Sequence, residues 1–184
     1  MSRAFISVRS LLLAAPFALS PGIALSMAAP VAQATATATA TLKDAAGKEV
    51  GSARLVQQND GVAVTVSAKG LTPGAHGTHV HMTGTCEAPA FTSAGGHWNP
   101  TDAHHGLENP QGHHAGDLPN MTVQSDGTGE LSFMIANARV AGDDKALLDA
   151  DGAAIVIHAG PDDMMSDPAG NSGGRVACGV VEAG

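Results

Sequence analysis

The chain has 184 residues, 43% of them hydrophobic but only 3% aromatic, a length that suits one domain with a proper core and is short for two. Nine Lys and Arg face seventeen Asp and Glu, and two of the nine, Arg3 and Arg9, sit in an N-terminal leader, so the remainder carries seven against seventeen, a formal net charge of −10. Such a surface repels nucleic acid and anionic lipid, and an anionic substrate must be drawn in by local positive charge.

Residues 1–34 have the layout of a secretory signal: a positive start, an apolar run from Leu11 to Ala28, and small residues at Ala32 and Ala34. Pro16 and Pro21 interrupt that run before it reaches the roughly 18 unbroken apolar residues of a membrane anchor. No cysteine near its end invites lipid attachment. The expected organisation is a cleaved signal over 1–34 and a single domain over 35–184, with no membrane span in the mature chain.

The domain opens with strict alternation, "TATATATL", followed by "EVGSARLVQ" and by "GVAVTVSA", which sets Val62, Val64 and Val66 on one face. Turn residues separate these runs at 44–48 and 59–61. "LTPGA" leads into a fourth strand, "HGTHVH", in which His79 and His81 are two residues apart and so share a face. Further on, "MTVQ" and "ELSFMIA" flank the hairpin signal "SDGTG", and "AAIVIHA" and "RVACGVV" add two more strands. Eight strand candidates at regular spacing, with helix-like content limited to "DDKALLDA" at 143–150, predict an all-β Greek-key sandwich or flattened barrel.

Two segments break the pattern, residues 82–120 and 159–174. A structureless loop of such length is uncommon inside a compact domain and is usually functional or disordered. Here metal binding can supply the order that apolar burial cannot, because the first loop holds His97, His104, His105, His113, His114 and Asp117. Neutral imidazole is the commonest protein metal ligand. His79, His81 and the strand-end His158 would make an all-nitrogen site suited to Cu(II). Loop histidines joined by Asp117, three residues after His114, suit tetrahedral zinc. Spacing alone leaves open whether the two sites share a ligand. Cys86 and Cys178, an even pair in an exported protein, read as a disulfide; thiolate metal ligation would call for CxxC spacing, which is absent.

Five stretches in order, "HGTHVH", "AGGHWNP", "HHAGDLPN", "IVIHAGPDD" and "GNSGGRVACGV", together resemble the copper/zinc superoxide dismutase family, in particular its bacterial exported members, over roughly residues 36–182. The resemblance implies an eight-stranded Greek-key β-sandwich with two long functional loops. It implies copper on His79, His81, His97 and His158, and zinc on His97, His105, His114 and Asp117, with His97 bridging the two. Asp162 matches a carboxylate linking a copper histidine to a zinc histidine, Arg175 the arginine beside copper, and His76 a histidine that buttresses the site without ligating. Cys86 and Cys178 match the bridge that pins the loop to the last strand. The implied reaction turns superoxide into dioxygen and hydrogen peroxide by Cu(II)/Cu(I) cycling, in the periplasm, with zinc structural. Bacterial relatives occur in more than one arrangement, which leaves a homodimer open. A copper/zinc-binding module without turnover would be marked by loss of a copper histidine or of Arg175, and neither is missing. A zinc hydrolase would need an open zinc position, which four ligands do not leave.

Overall fold

Alternating small and β-branched residues make half-buried strands, and the first of them shows it. In the computed structural model, which describes residues 35–143 and 145–184, β1 (Thr37–Asp44) buries Ala38, Ala40 and Leu42 while Thr39, Thr41 and Lys43 face outward. The leader expected over residues 1–34 lies outside the described residues. The further strands are β2 (Glu49–Gln58), β3 (Gly61–Ala68), β4 (Gly74–His76), β5 (Thr78–His81), β6 (Met121–Val123), β7 (Gly129–Ala136), β8 (Ala154–His158), β9 (Arg175–Val180) and β10 (Glu182–Ala183).

All pairings are antiparallel, in the order β4-β6-β7-β3-β2-β1-β9-β8-β5, with β10 paired to β1. The two ends of that list, β4 and β5, are joined by the single residue Gly77. The sheet is therefore curled almost into a closed, flattened barrel of Greek-key connectivity. Its interior is aliphatic, from Leu42, Leu55, Val62, Val64, Val66, Val80, Ile155 and Ile157 among others. The lack of aromatic volume is thus made up by branched side chains.

Two expectations change in detail. Among the described residues there are ten strands rather than eight, because the histidine strand splits at Gly77 and Glu182–Ala183 adds a short partner for β1. The split has a physical reason: His76 pairs with Met121 of β6, whereas Thr78 to His81 pair with Ile157 to Ala154 of β8. A Cβ on Gly77 would lie 2.8 Å from the Cβ of Ser172 and 3.2 Å from a ring carbon of His79, so only glycine lets the chain change partners there. The described residues of the helix-like "DDKALLDA" form turns instead. The Ala146 and Lys145 N–H groups fold back onto Asp143, and those of Leu147 and Leu148 donate to Arg139 and Val140. So short a segment cannot meet the cost of helix nucleation, and burying Leu147 in the core decides its path. The one helix among the described residues is a 3₁₀ turn, Thr92–Ala94. No described helix is long and apolar enough to cross a membrane.

A smaller apolar cluster lies apart from the main core. Phe91 and Ala94 of the first loop pack on Ala154 and Val156 of β8, on Cys178 of β9 and on the partly buried Cys86. The expected disulfide is there, joining Cys86 to Cys178 across a sequence separation of 92 with a Cα–Cα distance of 5.7 Å. It fastens the start of the long loop to the sheet beneath it.

Candidate metal centre

The alternation of β5 sets up the site. Val80 belongs to the barrel core, so its neighbours His79 and His81 project from the opposite face, across from Val156 and Ala154 of β8. That face is not open to water, because the long loop is laid along the free edge of β5. The Trp98 N–H donates to the Val80 carbonyl, the Val80 N–H to that of Gly116, and the Gly116 N–H to that of Trp98, each at 2.8 Å. These bonds bring His97 beside His81 and Asp117 beside His79. A segment without hydrophobic periodicity is thereby held as an added pair of sheet edges.

Four imidazoles converge above β5. The donor nitrogens of His79, His81, His97 and His158 lie within 4.8 Å of one another, and all four rings are buried. His79 Nδ1 and the Nε2 atoms of His81, His97 and His158 have no hydrogen-bond partner at all. Leaving four buried polar atoms unpaired is costly unless something else claims their lone pairs. The opposite nitrogen of each ring is engaged: His79 Nε2 with Asp162 Oδ2 at 2.6 Å, His81 Nδ1 with the Gly95 carbonyl at 3.0 Å, His158 Nδ1 with the Gly173 carbonyl at 3.1 Å, and His97 Nδ1 with Asp117 Oδ1 at 2.7 Å. Such bonds set tautomer and ring orientation. Burial lowers the pKa of His79 to about 3, of His81 to about 2 and of His158 to about 4, so these rings are neutral with lone pairs available. An all-imidazole set of this type suits copper.

The second set is built around Asp117. Its Oδ1 has His97 Nδ1 at 2.7 Å, His105 Nδ1 at 3.0 Å and His114 Nδ1 at 3.3 Å around it, and Oδ2 accepts the N–H groups of Gly106 and His114. Burial would raise the Asp117 carboxyl, but the His105, His114 and His97 hydrogen bonds outweigh it and hold the group well below the usual carboxylate range. Three imidazole nitrogens and one carboxylate oxygen gathered within 4.8 Å of one another form a donor set of the type that suits zinc. His97 belongs to both sets, one nitrogen to each.

Asp162 ties the sets together, with Oδ2 on His79 and Oδ1 at 3.0 Å from His105 Nε2. Burial works against protonation of His105, yet Asp117 and Asp162 outweigh it and raise its pKa to about 9. Gly170, at φ +62°, is where the second loop turns under this carboxylate, and a Cβ there would overlap Asp162 Oδ1.

The structure separates the adjacent histidines. His105 and His114 point into the cluster, whereas His104 turns outward to Asp167 and His113 to the His114 carbonyl. His76 belongs to neither donor set; it is buried, with Nδ1 2.6 Å from the His158 carbonyl and Nε2 2.8 Å from that of Thr72, and it braces the backbone of a cluster member. Arg175 donates from Nη1 to the Phe91 carbonyl and from Nη2 to that of Gly95, both at 2.6 Å. Gly95 also accepts from His81, so the guanidinium is fixed next to the four-imidazole set. Sequence reasoning missed three supports. Asn120 bonds both backbone groups of Asp162, Asp167 accepts the His105 N–H, and Phe91 holds Arg175. Asn120 closes the stretch "HHAGDLPN" and could have been picked out there; nothing in the sequence marks the other two.

Fold and site together define a Greek-key β-barrel metalloprotein in which two adjoining donor sets share one imidazole. Comparison with known proteins makes this particular. The family profile described as copper/zinc superoxide dismutase (SODC) matches residues 49–181. Superoxide dismutase [Cu-Zn] 2 of Aquifex aeolicus is 45% identical over 148 residues, 78% of this chain and 85% of that protein. The crystal structure of a SOD-like protein from Bacillus subtilis superposes with a TM-score of 0.73 at 39% identity, covering 77% of this chain and 96% of that one. The Cu/Zn superoxide dismutase from Brucella abortus gives 0.62 at 30%, covering 79% and 99%. The chain belongs to the copper/zinc superoxide dismutase family.

Proposed function

We propose that this protein disproportionates superoxide into dioxygen and hydrogen peroxide, with copper held by His79, His81, His97 and His158 and zinc by His97, His105, His114 and Asp117. One observation carries the reading: four buried imidazole nitrogens, each with its ring fixed from the other side, converge without a partner. Bound copper supplies the one-electron Cu(II)/Cu(I) couple that takes an electron from one superoxide and returns it to a second, while zinc, which has no accessible redox change, supplies fixed charge and structure.

The chain's own residues meet the remaining needs, protons and anion capture. His97 Nε2 points into the four-imidazole set while Nδ1 stays beside Asp117. A ring lodged in this way can hold a proton at Nε2 in one half of the cycle and release it to the reduced product in the other without leaving its place. Arg175, clamped by two carbonyls, offers a fixed positive charge on a protein of net charge −10 after loss of residues 1–34. Local focusing of this kind can raise anion on-rates by about 10- to 1000-fold.

The mature protein works outside the cytoplasm, in the periplasm of a cell with two membranes. The leader pattern of residues 1–34 and the Cys86–Cys178 bridge, of a kind far commoner in oxidising compartments than in the cytosol, support that location. The Bacillus subtilis relative is described as SOD-like, and what favours turnover here is the complete imidazole set together with Arg175. The test is inhibition of superoxide-driven dye reduction, with and without copper. Copper-dependent inhibition is expected; a fully metallated protein that fails to inhibit is a binding module.

A further inference from the structure

Phe91 combines two features that rarely meet. It is a non-glycine residue in the left-handed region, at φ 54°, and its side chain is almost completely buried. A bulky residue is disfavoured in that conformation and stays there only when its surroundings over-determine it. The surroundings are the small apolar cluster: the ring packs with Ala154, Val156 and Cys178, with Cys86 against the same group. The Phe91 N–H donates to the Glu87 carbonyl at 2.9 Å, which fixes the turn from the disulfide side. The outcome of the twist is that the Phe91 carbonyl faces β9 and accepts Arg175 Nη1 at 2.6 Å.

We propose that Phe91 is the positioning residue for Arg175: its ring, seated against the Cys86–Cys178 bridge, holds a strained backbone whose carbonyl aims the guanidinium. This rests on the reading of Arg175 as the group that draws superoxide to the copper set. An arginine has several rotatable bonds, and a charge that guides an anion is useful only where it is held still. The Gly95 carbonyl supplies one anchor, shared with His81, and Phe91 the other.

The test is a double-mutant cycle on the copper- and zinc-loaded protein, with azide, a small monoanion, titrated against the Cu(II) absorption band. F91A is expected to weaken azide about 3- to 10-fold with metal content unchanged, and to have no further effect in an R175A background. Unchanged azide affinity in F91A, or an equal loss in both backgrounds, overturns the inference. Should R175A itself leave azide affinity intact, the guiding role of Arg175 falls and this inference with it; an effective R175A beside an inert F91A sinks the inference alone. If F91A does not fold, F91L takes its place, with a smaller loss of about 2-fold that again vanishes without Arg175. A second readout needs no metal. The ¹⁵N-guanidinium signal of Arg175 is expected to exchange slowly in the wild type and fast in F91A, and identical spectra overturn the proposal.

Discussion

His79 and His105 are held by opposite oxygens of one carboxylate, Asp162, at 2.6 and 3.0 Å. One ring belongs to the four-imidazole set and the other to the Asp117 set, so orienting either requires the same side chain. Asp162→Asn leaves one acceptor oxygen and turns an amide N–H toward the other ring. We expect metal affinity to fall by about 10- to 100-fold, measured by chelator competition for copper and zinc separately. Unaltered affinity for both would mean that Asp162 is dispensable.

Asp117→Asn removes the charge around which three Nδ1 atoms gather. Zinc should bind weakly, and residues 104–117 of the loop, which place no large apolar side chain in either buried cluster, should lose hydrogen-exchange protection. Normal zinc stoichiometry with full protection counts against the assignment.

Arg175→Ala should leave both metals bound, since its hydrogen bonds go to carbonyls of Phe91 and Gly95 and not to donor atoms of either set. The rate should drop and its dependence on salt should flatten, because a local attraction has been taken away. Kinetics identical to the wild type across ionic strengths would rule out a steering role.

Replacing Cys86 and Cys178 together by alanine opens a loop of sequence separation 92. Loop-closure entropy puts the stability lost at about 4–5 kcal/mol, less whatever the freed chain regains. Thermal unfolding of the two proteins decides it, and coincident melting curves defeat the prediction.

The metal-free protein should be most stable near pH 6.5. Unfolded, His79, His81 and His158 take up protons at about 6.5, whereas folded they resist to about 3, 2 and 4. As pH falls from 6.5 toward 4 the unfolded state binds more protons, so stability declines, by at most about 1.4 kcal/mol per pH unit for each group. His105 has the opposite sign. Its pKa is raised to about 9, so its contribution is full below 6.5 and is lost as pH rises through 9. A melting temperature that stays level from pH 4 to 9 would show that these shifts do not exist.

Much of this was legible in the chain. Period-two alternation depends only on the backbone's two-residue repeat, so the strands, and the shared face of His79 and His81, followed from residue order. The cysteine pair and the motifs carrying the family resemblance are local features too. Spacing could not choose between His104 and His105, or between His113 and His114, because adjacent loop residues have no fixed facing. The choice is made by the folded loop: Asp167, 62 residues on, accepts the His105 N–H, and Asp117, within the same loop, gathers the three ring nitrogens.

By itself, then, the sequence determined an all-β domain, a histidine-rich loop and the kinds of donor on offer, since each is a matter of residue type and short-range order. Only the tertiary structure decided which donors meet. Gly77 lets one strand end the sheet twice, Phe91 is twisted so that its carbonyl reaches Arg175, and Asp162 touches two rings 83 and 57 residues away. Those contacts join distant segments, and the closing of the barrel, which brings the segments together, is a property of the whole packed core.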